Sequence, residues 1–218
     1  AIIHRRDDVE DKWVITPENV PYNKQQIEDM VYFQEQYFDS YVEMLDEEMW
    51  DAYNCKGEKL GYQIPRSMAK SLSEGVYHIA VMIYVKRADG CILATQRSRN
   101  KTNPLKWEVT GGSILAGETP VAARELAEET GIIKKISELR EIYNCYDVKR
   151  HCIYYIYLAE VPSDMPIHLQ IGETMDYEFL PYDEFRELVC SDRFVASEQG
   201  RFIAHEELMK SVLDANNI

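Results

Sequence analysis

Acidic residues at helical spacing near the middle of the chain constrain its fold more than any other sequence feature. Glu125, Glu128 and Glu129 stand at positions i, i+3 and i+4, which would place three carboxylates on one face of a helix. Pro120 suits the first turn of that helix and Gly131 suits its C-terminal cap, so we predict about three helical turns between them. Like charges on one helical face repel each other, and a cation is therefore expected beside them.

The cation that such carboxylates favour is a hard divalent ion with oxygen ligands. Mg²⁺ in proteins binds through one or two carboxylates, waters and substrate phosphates rather than through a closed protein cage. Hydrolysis of a pyrophosphate needs neutralised phosphate oxygens and a water placed in line with the breaking bond, and carboxylate-bound metal ions supply both. The acidic helix therefore predicts a metal site that handles phosphate groups.

Charge and composition restrict the partners of the chain. Its 218 residues include 38 acidic and 24 basic side chains, which gives a net charge of -14. Most of such a surface repels a nucleic-acid duplex, and the apolar runs are far shorter than a membrane span. The chain opens on AIIHRRDDVEDKW, which lacks the apolar region of a secretory signal. We therefore expect a cytoplasmic protein with no nucleic-acid duplex and no membrane among its partners.

The first part of the chain differs in character from the rest. We divide the sequence into an N-terminal helical extension at residues 1–47 and a larger domain at residues 48–218. Over residues 22 to about 50, apolar side chains recur at helical spacing after Pro21, as one amphipathic helix requires. Its apolar stripe would pack either on the larger domain or on a second copy of the chain, and a homodimer is one of these two arrangements.

Two β-prone runs around a tight turn predict a hairpin. Residues 76–85 and 91–97 flank Ala88, Asp89 and Gly90, and the Asp-Gly pair favours a turn between strands. The other predicted elements are a short hairpin at residues 54–62, strands at 107–110, 139–148, 151–161 and 176–180, and helices at 121–130 and 200–215. Strands outnumber helices in this order, which indicates an α+β fold.

A longer motif surrounds the acidic helix. Residues 124–132, RELAEETGI, fit the pattern R-E-U-x-E-E-x-G-U, in which U is an aliphatic residue, and Gly112 and Glu118 fit the upstream glycine and first glutamate. This motif is the Nudix box. Over about residues 48–190 the chain resembles the Nudix family, and within it a subgroup similar to isopentenyl-diphosphate isomerase. The resemblance implies an α/β/α sandwich on a mixed sheet, with the box as loop, helix and loop at one edge of the site.

The resemblance also assigns roles to individual glutamates. It implies that Glu125, Glu128 and Glu129 hold a metal ion, either Mg²⁺ or Mn²⁺. Residues 169–185, LQIGETMDYEFLPYDEF, are similar to the acidic strand and loop that supply a further glutamate near the metals in this family, and Glu173 is the candidate there. These four glutamates are the predicted catalytic residues, with Glu125 or Glu173 orienting or deprotonating the attacking water.

Other side chains are candidates for contact with the substrate or the metal. Gly111 and Gly112 permit a close approach of the backbone to a ligand, and Arg97 offers a guanidinium fork to a phosphate. A surface ion pair is an equal alternative for Arg97. His78 matches a histidine that the isomerases place in a metal site, although a lone histidine on an apolar strand is more often packed in the core.

The motif departs from the family pattern in one place. Five residues separate Glu118 from Arg124, whereas the family pattern has seven. A loss of two residues rotates one part of a helix by roughly 200° relative to the other, which a loop at the start of the helix can absorb. The spacing of the three downstream glutamates is unaffected. The shortening therefore leaves open the role of Glu118 and its contact with Arg124.

The function that these patterns predict is a metal-dependent pyrophosphohydrolase. Its small-molecule diphosphate substrate would be a nucleoside diphosphate linked to another moiety, X. One alternative is a Nudix-fold module that binds or regulates and has lost turnover through the shortened motif. The other is an enzyme similar to isopentenyl-diphosphate isomerase, which would need a cysteine for proton transfer, and residues 107–112, WEVTGG, contain none.

Overall fold

The chain divides into two compact units, residues 1–48 and residues 49–218. The computed structural model describes residues 2–5, 13–16, 47–118, 123–170 and 172–214. In the first unit, β1 (Ile2–Arg5) pairs antiparallel with β2 (Trp13–Thr16). The sequence analysis did not predict this two-stranded sheet within the N-terminal extension.

A hairpin begins the second unit. β3 (Met49–Tyr53) pairs antiparallel with β4 (Lys59–Pro65), and Gly57 between them has a φ of +75°. The hairpin predicted around residues 54–62 is therefore confirmed, with longer strands than expected. The predicted amphipathic helix lies outside the described residues as far as position 46, and its expected end at Trp50 is wrong because Trp50 belongs to β3.

Seven further strands form the central sheet of the second unit. They are β5 (His78–Arg87), β6 (Ile92–Arg97), β7 (Trp107–Glu108), β8 (Thr110–Ser113), β9 (Leu139–Asp147), β10 (Cys152–Val161) and β11 (Thr174–Leu180). The strand order is β11-β6-β5-β10-β9, and β7 pairs with β6 while β8 pairs with β5. β10 runs parallel to β5, and the other pairings within this sheet are antiparallel. The sheet is therefore mixed, as predicted.

The helices of the second unit correct part of the sequence analysis. They are α1 (Ala123–Thr130), α2 (Tyr182–Cys190), α3 (Ala196–Ala204) and α4 (Glu206–Leu213), with short 3-10 helices at Arg66–Lys70 and Ile136–Glu138. The single helix predicted over residues 200–215 is wrong, because the chain breaks at His205, with a φ of -124°. Helix α2 was not predicted. Within the described residues, no helix is both long and apolar enough to cross a membrane.

Alternation of side chains along β5 builds a core on each face of the sheet. Val81 and Ile83 belong to the first core, which also contains Leu126 of α1. The second core contains Met82 and Tyr84 of β5 together with residues of the other three helices, Phe185, Phe202 and Met209. Helices therefore cover both faces of the mixed sheet, which confirms the predicted α+β architecture with its α/β/α layers.

The hairpin of β5 and β6 is confirmed, with Gly90 in its turn at a φ of +87°. Such a backbone conformation is readily adopted only by glycine. Further along the same edge of β5, Gly111 lies opposite Met82 and Gly112 lies opposite Val81. This pairing fixes the predicted glycine loop at the start of the segment that leads into α1.

Candidate active site

Helix α1 carries the three glutamates that the sequence analysis singled out. Its described part begins at Ala123, because residues 119–122, which include the predicted helix start at Pro120, lie outside the described residues. The predicted end is confirmed. Gly131 has a φ of +74°, and its N–H donates to the carbonyl of Ala127 at 2.9 Å. A glycine in this conformation closes the last turn of a helix.

Arg124 gathers three carboxylates, and we name Arg124, Glu118, Glu125 and Glu128 the Arg124 cluster. Its guanidinium donates from Nε to Glu118 at 2.9 Å, from Nη2 to Glu125 at 2.8 Å and from Nη1 to Glu128 at 2.7 Å. Partial burial lowers the pKa of Arg124, but its three carboxylate partners outweigh this and raise the pKa above its ordinary value. The repulsion expected between the glutamates is thus offset by a cation of the same helix.

The contact that the shortened motif left open is made. Glu118 accepts hydrogen bonds from Nε of Arg124 through one carboxylate oxygen and from the backbone N–H of Leu115 at 2.8 Å through the other. Gly117, just before Glu118, has a φ of +83°, so the chain turns sharply at this point. Glu118 therefore reaches Arg124 although only five residues separate them.

Glu129 lies in the interior. Its side chain is 5% exposed, one carboxylate oxygen lies 3.5 Å from Nζ of Lys101, and the other has no hydrogen-bond partner among the described residues. Burial, together with the charges of Glu108 and Glu125, raises the pKa of Glu129 to about 8 against the opposing effect of Lys101. Glu129 is thus a protonated acid near neutral pH unless a stronger cation occupies the position beside it.

Lys101 connects Glu129 with Glu173. Its ammonium group pairs with the carboxylate of Glu173, whose side chain is 43% exposed, as well as with Glu129. Burial lowers the pKa of Lys101, but the hydrogen bond to Glu173 and the charge of Glu129 raise it more, so the net direction is upward. Glu173, the candidate glutamate downstream of α1, therefore lies close to buried Glu129.

Arg97 does not present a free fork to the solvent. Its guanidinium pairs with the buried carboxylate of Glu108, donates from Nε to the carbonyl of Thr102 at 2.6 Å, and donates from Nη2 to the hydroxyl of Thr102 at 3.2 Å. Burial raises the pKa of Glu108 against the opposing effect of Arg97. Of the two alternatives for Arg97, an ion pair is the one present, and it is buried rather than exposed.

Close packing requires glycine at positions 111 and 112, and the sequence did not reveal this requirement. A Cβ on Gly111 would lie 2.4 Å from the carbonyl oxygen of Val81, and a Cβ on Gly112 would lie 2.3 Å from the carboxyl carbon of Glu125. Gly111 thus permits the pairing of β8 with β5, and Gly112 permits the close approach of Glu125. Contact of either glycine with a substrate stays a prediction.

His78 is packed rather than presented. Its ring is buried and stacks on Trp50 with a centroid distance of 4.1 Å, and Nδ1 has no hydrogen-bond partner among the described residues. Burial lowers the pKa of His78 to about 4, so the ring is neutral near pH 7. Its role as a metal ligand stays a prediction.

The carboxylates suit a hard cation, although arginine and lysine hold them in this structure. In the described part of the chain, no three His, Cys, Asp or Glu side chains converge as a metal-binding group. The unpartnered oxygen of Glu129 is nevertheless the kind of buried acceptor that a cation satisfies, and carboxylate oxygens are preferred ligands of Mg²⁺ and Mn²⁺. The donor set of α1 therefore fits a divalent metal ion.

Sequence reasoning missed Lys101 and Glu108. Both belong to the segment between β6 and the glycines, and both contact a predicted site residue. The signal for Glu108 was available, because a charged residue between Trp107 and Val109 in a β-prone run is unusual unless it is paired. Lys101 offered no comparable signal, since a loop lysine is ordinarily solvated.

Comparisons with known proteins bear on the family of the chain rather than on individual site residues. The NUDIX domain family matches residues 76–204, which include all three glutamates of α1. A MutT-like protein of Streptomyces ambofaciens is 38% identical over 76 residues, which are 34% of this chain and 47% of that protein. The chain thus spans about half the length of this curated relative.

Solved structures are similar to this chain at low sequence identity. The DR0079 protein of Deinococcus radiodurans matches with a TM-score of 0.56 and 21% identity over 71% of this chain and 98% of that chain. The MutT protein of Methanosarcina mazei matches with a TM-score of 0.47 and 22% identity over 60% of this chain and 96% of that chain. The family match covers more than half of the chain and contains the glutamates that Arg124 and Lys101 hold, and the chain therefore belongs to the Nudix family.

Proposed function

We propose that this chain is a metal-dependent pyrophosphohydrolase that cleaves the diphosphate linkage of a nucleoside diphosphate joined to another moiety, X. The observation that carries the proposal is the row of glutamates on α1, which runs from half-exposed Glu128 to buried Glu129, one oxygen of which has no partner in the described part of the chain. Such a row offers oxygen ligands on the solvent side and a low-dielectric position on the inner side, where charge stabilisation is strongest.

Glu125, Glu128 and Glu129 are the residues that would hold Mg²⁺ or Mn²⁺. The metal, when bound, neutralises phosphate oxygens and makes a coordinated water more acidic. Glu129 needs such a cation because burial, which raises its pKa to about 8, opposes its ionised form. Binding of a divalent cation would favour the ionised carboxylate and satisfy its free oxygen.

Arg124 is a positioning residue in this proposal. It donates a separate hydrogen bond to each of Glu118, Glu125 and Glu128, and these bonds limit the rotamers of three flexible side chains. Preorganised carboxylates bind a cation with less loss of side-chain entropy than mobile ones. Gly112 contributes to the same arrangement, because its missing side chain leaves room for Glu125.

Glu173 is the residue that we assign to the attacking water. Its side chain is 43% exposed and is held beside Glu129 through their common partner Lys101. A carboxylate that reaches solvent next to a metal site can orient a water and accept its proton. Glu125 is less suited to this role, because its carboxyl group already packs against Gly112 and pairs with Arg124.

The direct test is a substrate panel with purified protein and either Mg²⁺ or Mn²⁺. The panel contains ADP-ribose, NADH, coenzyme A, dinucleoside polyphosphates and free nucleotides, and the cleavage products, each of which retains its phosphate, are separated and quantified by chromatography. We expect metal-dependent cleavage of at least one compound and its loss on chelation. A folded protein that cleaves none of them with either metal contradicts the proposal.

A binding module without turnover is the second candidate. The shortened segment between Glu118 and Arg124 favours it, as do the contacts that hold the carboxylates on Arg124 and Lys101. Tight binding of a panel compound without cleavage would support this candidate. Incubation with isopentenyl diphosphate tests the isomerase alternative, and we expect no dimethylallyl diphosphate because residues 107–112 offer no cysteine.

A further inference from the structure

Arg201 differs from the other half-buried arginines of the chain. Among the described residues, these arginines are Arg87, Arg97, Arg124 and Arg201. The first three each pair with a carboxylate within 4 Å. Arg201 pairs with no described carboxylate, although the chain has 38 acidic and only 24 basic residues. A partly buried guanidinium without an anionic partner is costly, which suggests that its partner is a ligand.

The guanidinium of Arg201 is held by uncharged neighbours. Its Cζ lies 3.8 Å from the ring centroid of Tyr154, and its Nε–H donates to the sulfur of Met82 at 3.2 Å. Neither Nη atom donates a hydrogen bond to a described residue. Stacking on an aromatic face leaves the edge of the fork open, and that edge is the part of arginine that binds an oxyanion with two parallel hydrogen bonds.

The backbone below this guanidinium is fixed. The carbonyl of Arg201 accepts a hydrogen bond from the hydroxyl of Tyr143 at 3.3 Å and lies 3.0 Å from Nδ1 of His205. The rings of Tyr143 and His205 stack with a centroid distance of 3.9 Å. Arg201 is therefore positioned from the sheet side and from the helix side before any ligand arrives.

The nearby acidic groups have other partners. Glu198, one helical turn before Arg201, accepts the backbone N–H of Val109 at 3.0 Å, and Asp147 pairs with Arg150 at 2.8 Å. Burial, with the charge of Glu108, raises the pKa of Glu198 to about 8 against the opposing effects of the Val109 N–H and Arg201. The charge of Arg201 acts on both acidic groups, but neither forms an ion pair with it within 4 Å.

We propose that Arg201, with Tyr154 beneath it, is a subsite for an oxyanion, namely a phosphate or carboxylate group. Arg201 contacts Met82 and Tyr154 beside the core that contains Phe202, whereas Leu126 of α1 packs in the core on the other face of the sheet. The inference is therefore independent of the proposed hydrolysis at the glutamates of α1.

Binding of inorganic phosphate to metal-free protein tests the subsite without any hydrolysis. Nitrogen-15 NMR of the arginine Nε–H groups follows the titration, and a parallel titration with acetate distinguishes a phosphate subsite from a carboxylate subsite. We expect the Arg201 signal to shift with at least one anion, and Arg201→Met to weaken that binding at least tenfold. Arg186→Met is the matched control, because Arg186 is an exposed helical arginine paired with Glu206.

Several outcomes would overturn the subsite. The first is an Arg201 Nε–H signal that shifts with neither phosphate nor acetate. The second is equal anion affinity in the wild type and Arg201→Met, and the third is an equal loss of anion affinity in Arg186→Met. Arg201→Lys retains the charge but not the guanidinium fork, and we expect it to bind the anion with intermediate affinity. It replaces Arg201→Met in the test if circular dichroism shows that Arg201→Met does not fold. Should the protein hydrolyse nothing, the phosphate titration still decides the subsite.

Discussion

The ionisable side chains of this domain lie in two contrasting settings, and helix α1 contributes to both. Glu128 is 43% exposed and pairs with Arg124, whereas the adjacent Glu129 is 5% exposed and keeps one oxygen without a described partner. Adjacent residues of a helix project about 100° apart, so one faces solvent while the next faces the sheet. Identical side chains one position apart therefore differ in burial and in the partners that hold them.

The two settings also differ in their energetics. Ion pairs at the surface contribute about 0–1 kcal/mol each, so the Arg124 cluster orients its glutamates more than it stabilises the fold. The interior contains buried polar atoms without described partners, among them Oε2 of Glu129 and Nδ1 of His78. Such groups reduce stability, and they are typical of sites that bind a ligand or ion. Mutations in the two settings should therefore act on different properties.

The largest expected effect is the loss of activity when the half-exposed glutamate, Glu128, is replaced. Glu128→Gln alters a proposed metal ligand and should lower metal-dependent diphosphate hydrolysis by about 10³-fold or more, the scale of losing one group that stabilises transition-state charge. Its free energy of unfolding should change by no more than about 0.5 kcal/mol, because the side chain is half exposed. Glu187→Gln, at an exposed position of α2, is the matched control and should leave both quantities unchanged. Full hydrolysis by Glu128→Gln would contradict the assignment.

The next effect is the acid sensitivity of the interior. The pKa of His78 falls from 6.5 in the unfolded chain to about 4 in the folded one, so only the unfolded chain gains a proton between these values. Stability present above pH 6.5 is therefore lost as the pH falls towards 4, by about 3 kcal/mol from this residue. His78→Phe, which retains a ring against Trp50, should lose correspondingly less over the same range. Urea unfolding at pH 7, 5.5 and 4 gives the two curves, and parallel curves would contradict the prediction.

Substitutions of the adjacent Gly111 and Gly112 should affect different properties. Gly111→Ala would force a Cβ against the backbone oxygen of Val81, and we expect a loss of about 1–3 kcal/mol in the free energy of unfolding. Gly112→Ala would displace only the flexible end of Glu125, so its stability should fall less while its hydrolysis rate falls more. Urea titrations and rate measurements on both variants are compared side by side. Equal stability losses would show that the distinction is wrong.

The smallest effect on stability is expected from replacing Lys101, the lysine that pairs with buried Glu129. Lys101→Met removes the charge beside Glu129 and Glu173 but retains most of the aliphatic stem, and Glu129 can respond by remaining protonated. We therefore expect a loss of only about 1 kcal/mol in the free energy of unfolding. Lys210→Met, which breaks the exposed pair with Asp214, is the control and should change it less. A larger loss in the control would reverse the proposed ranking of the two settings.

Local sequence patterns predicted which helices and strands are present better than they predicted where each one begins and ends. The Asp-Gly turn placed the hairpin of β5 and β6, and the glutamate spacing with Gly131 placed α1 and its end. Helix α2 was missed although its buried residues recur at helical spacing, because its first residues, 182–185, were assigned to the end of an acidic strand and loop. The break at His205 was missed because the residues on either side of it favour a helix equally.

The sequence by itself determined the family, the mixed α+β fold and the glutamates of α1, because spacing along a helix and alternation along a strand are local properties. The tertiary structure decided which of these glutamates is buried. It also closed the contact between Glu118 and Arg124, brought Lys101 to Glu129 and left Arg201 without a described carboxylate. These outcomes depend on loops and on strand pairing between distant segments, so the charge, burial and partner of each side chain were fixed only when the chain had folded.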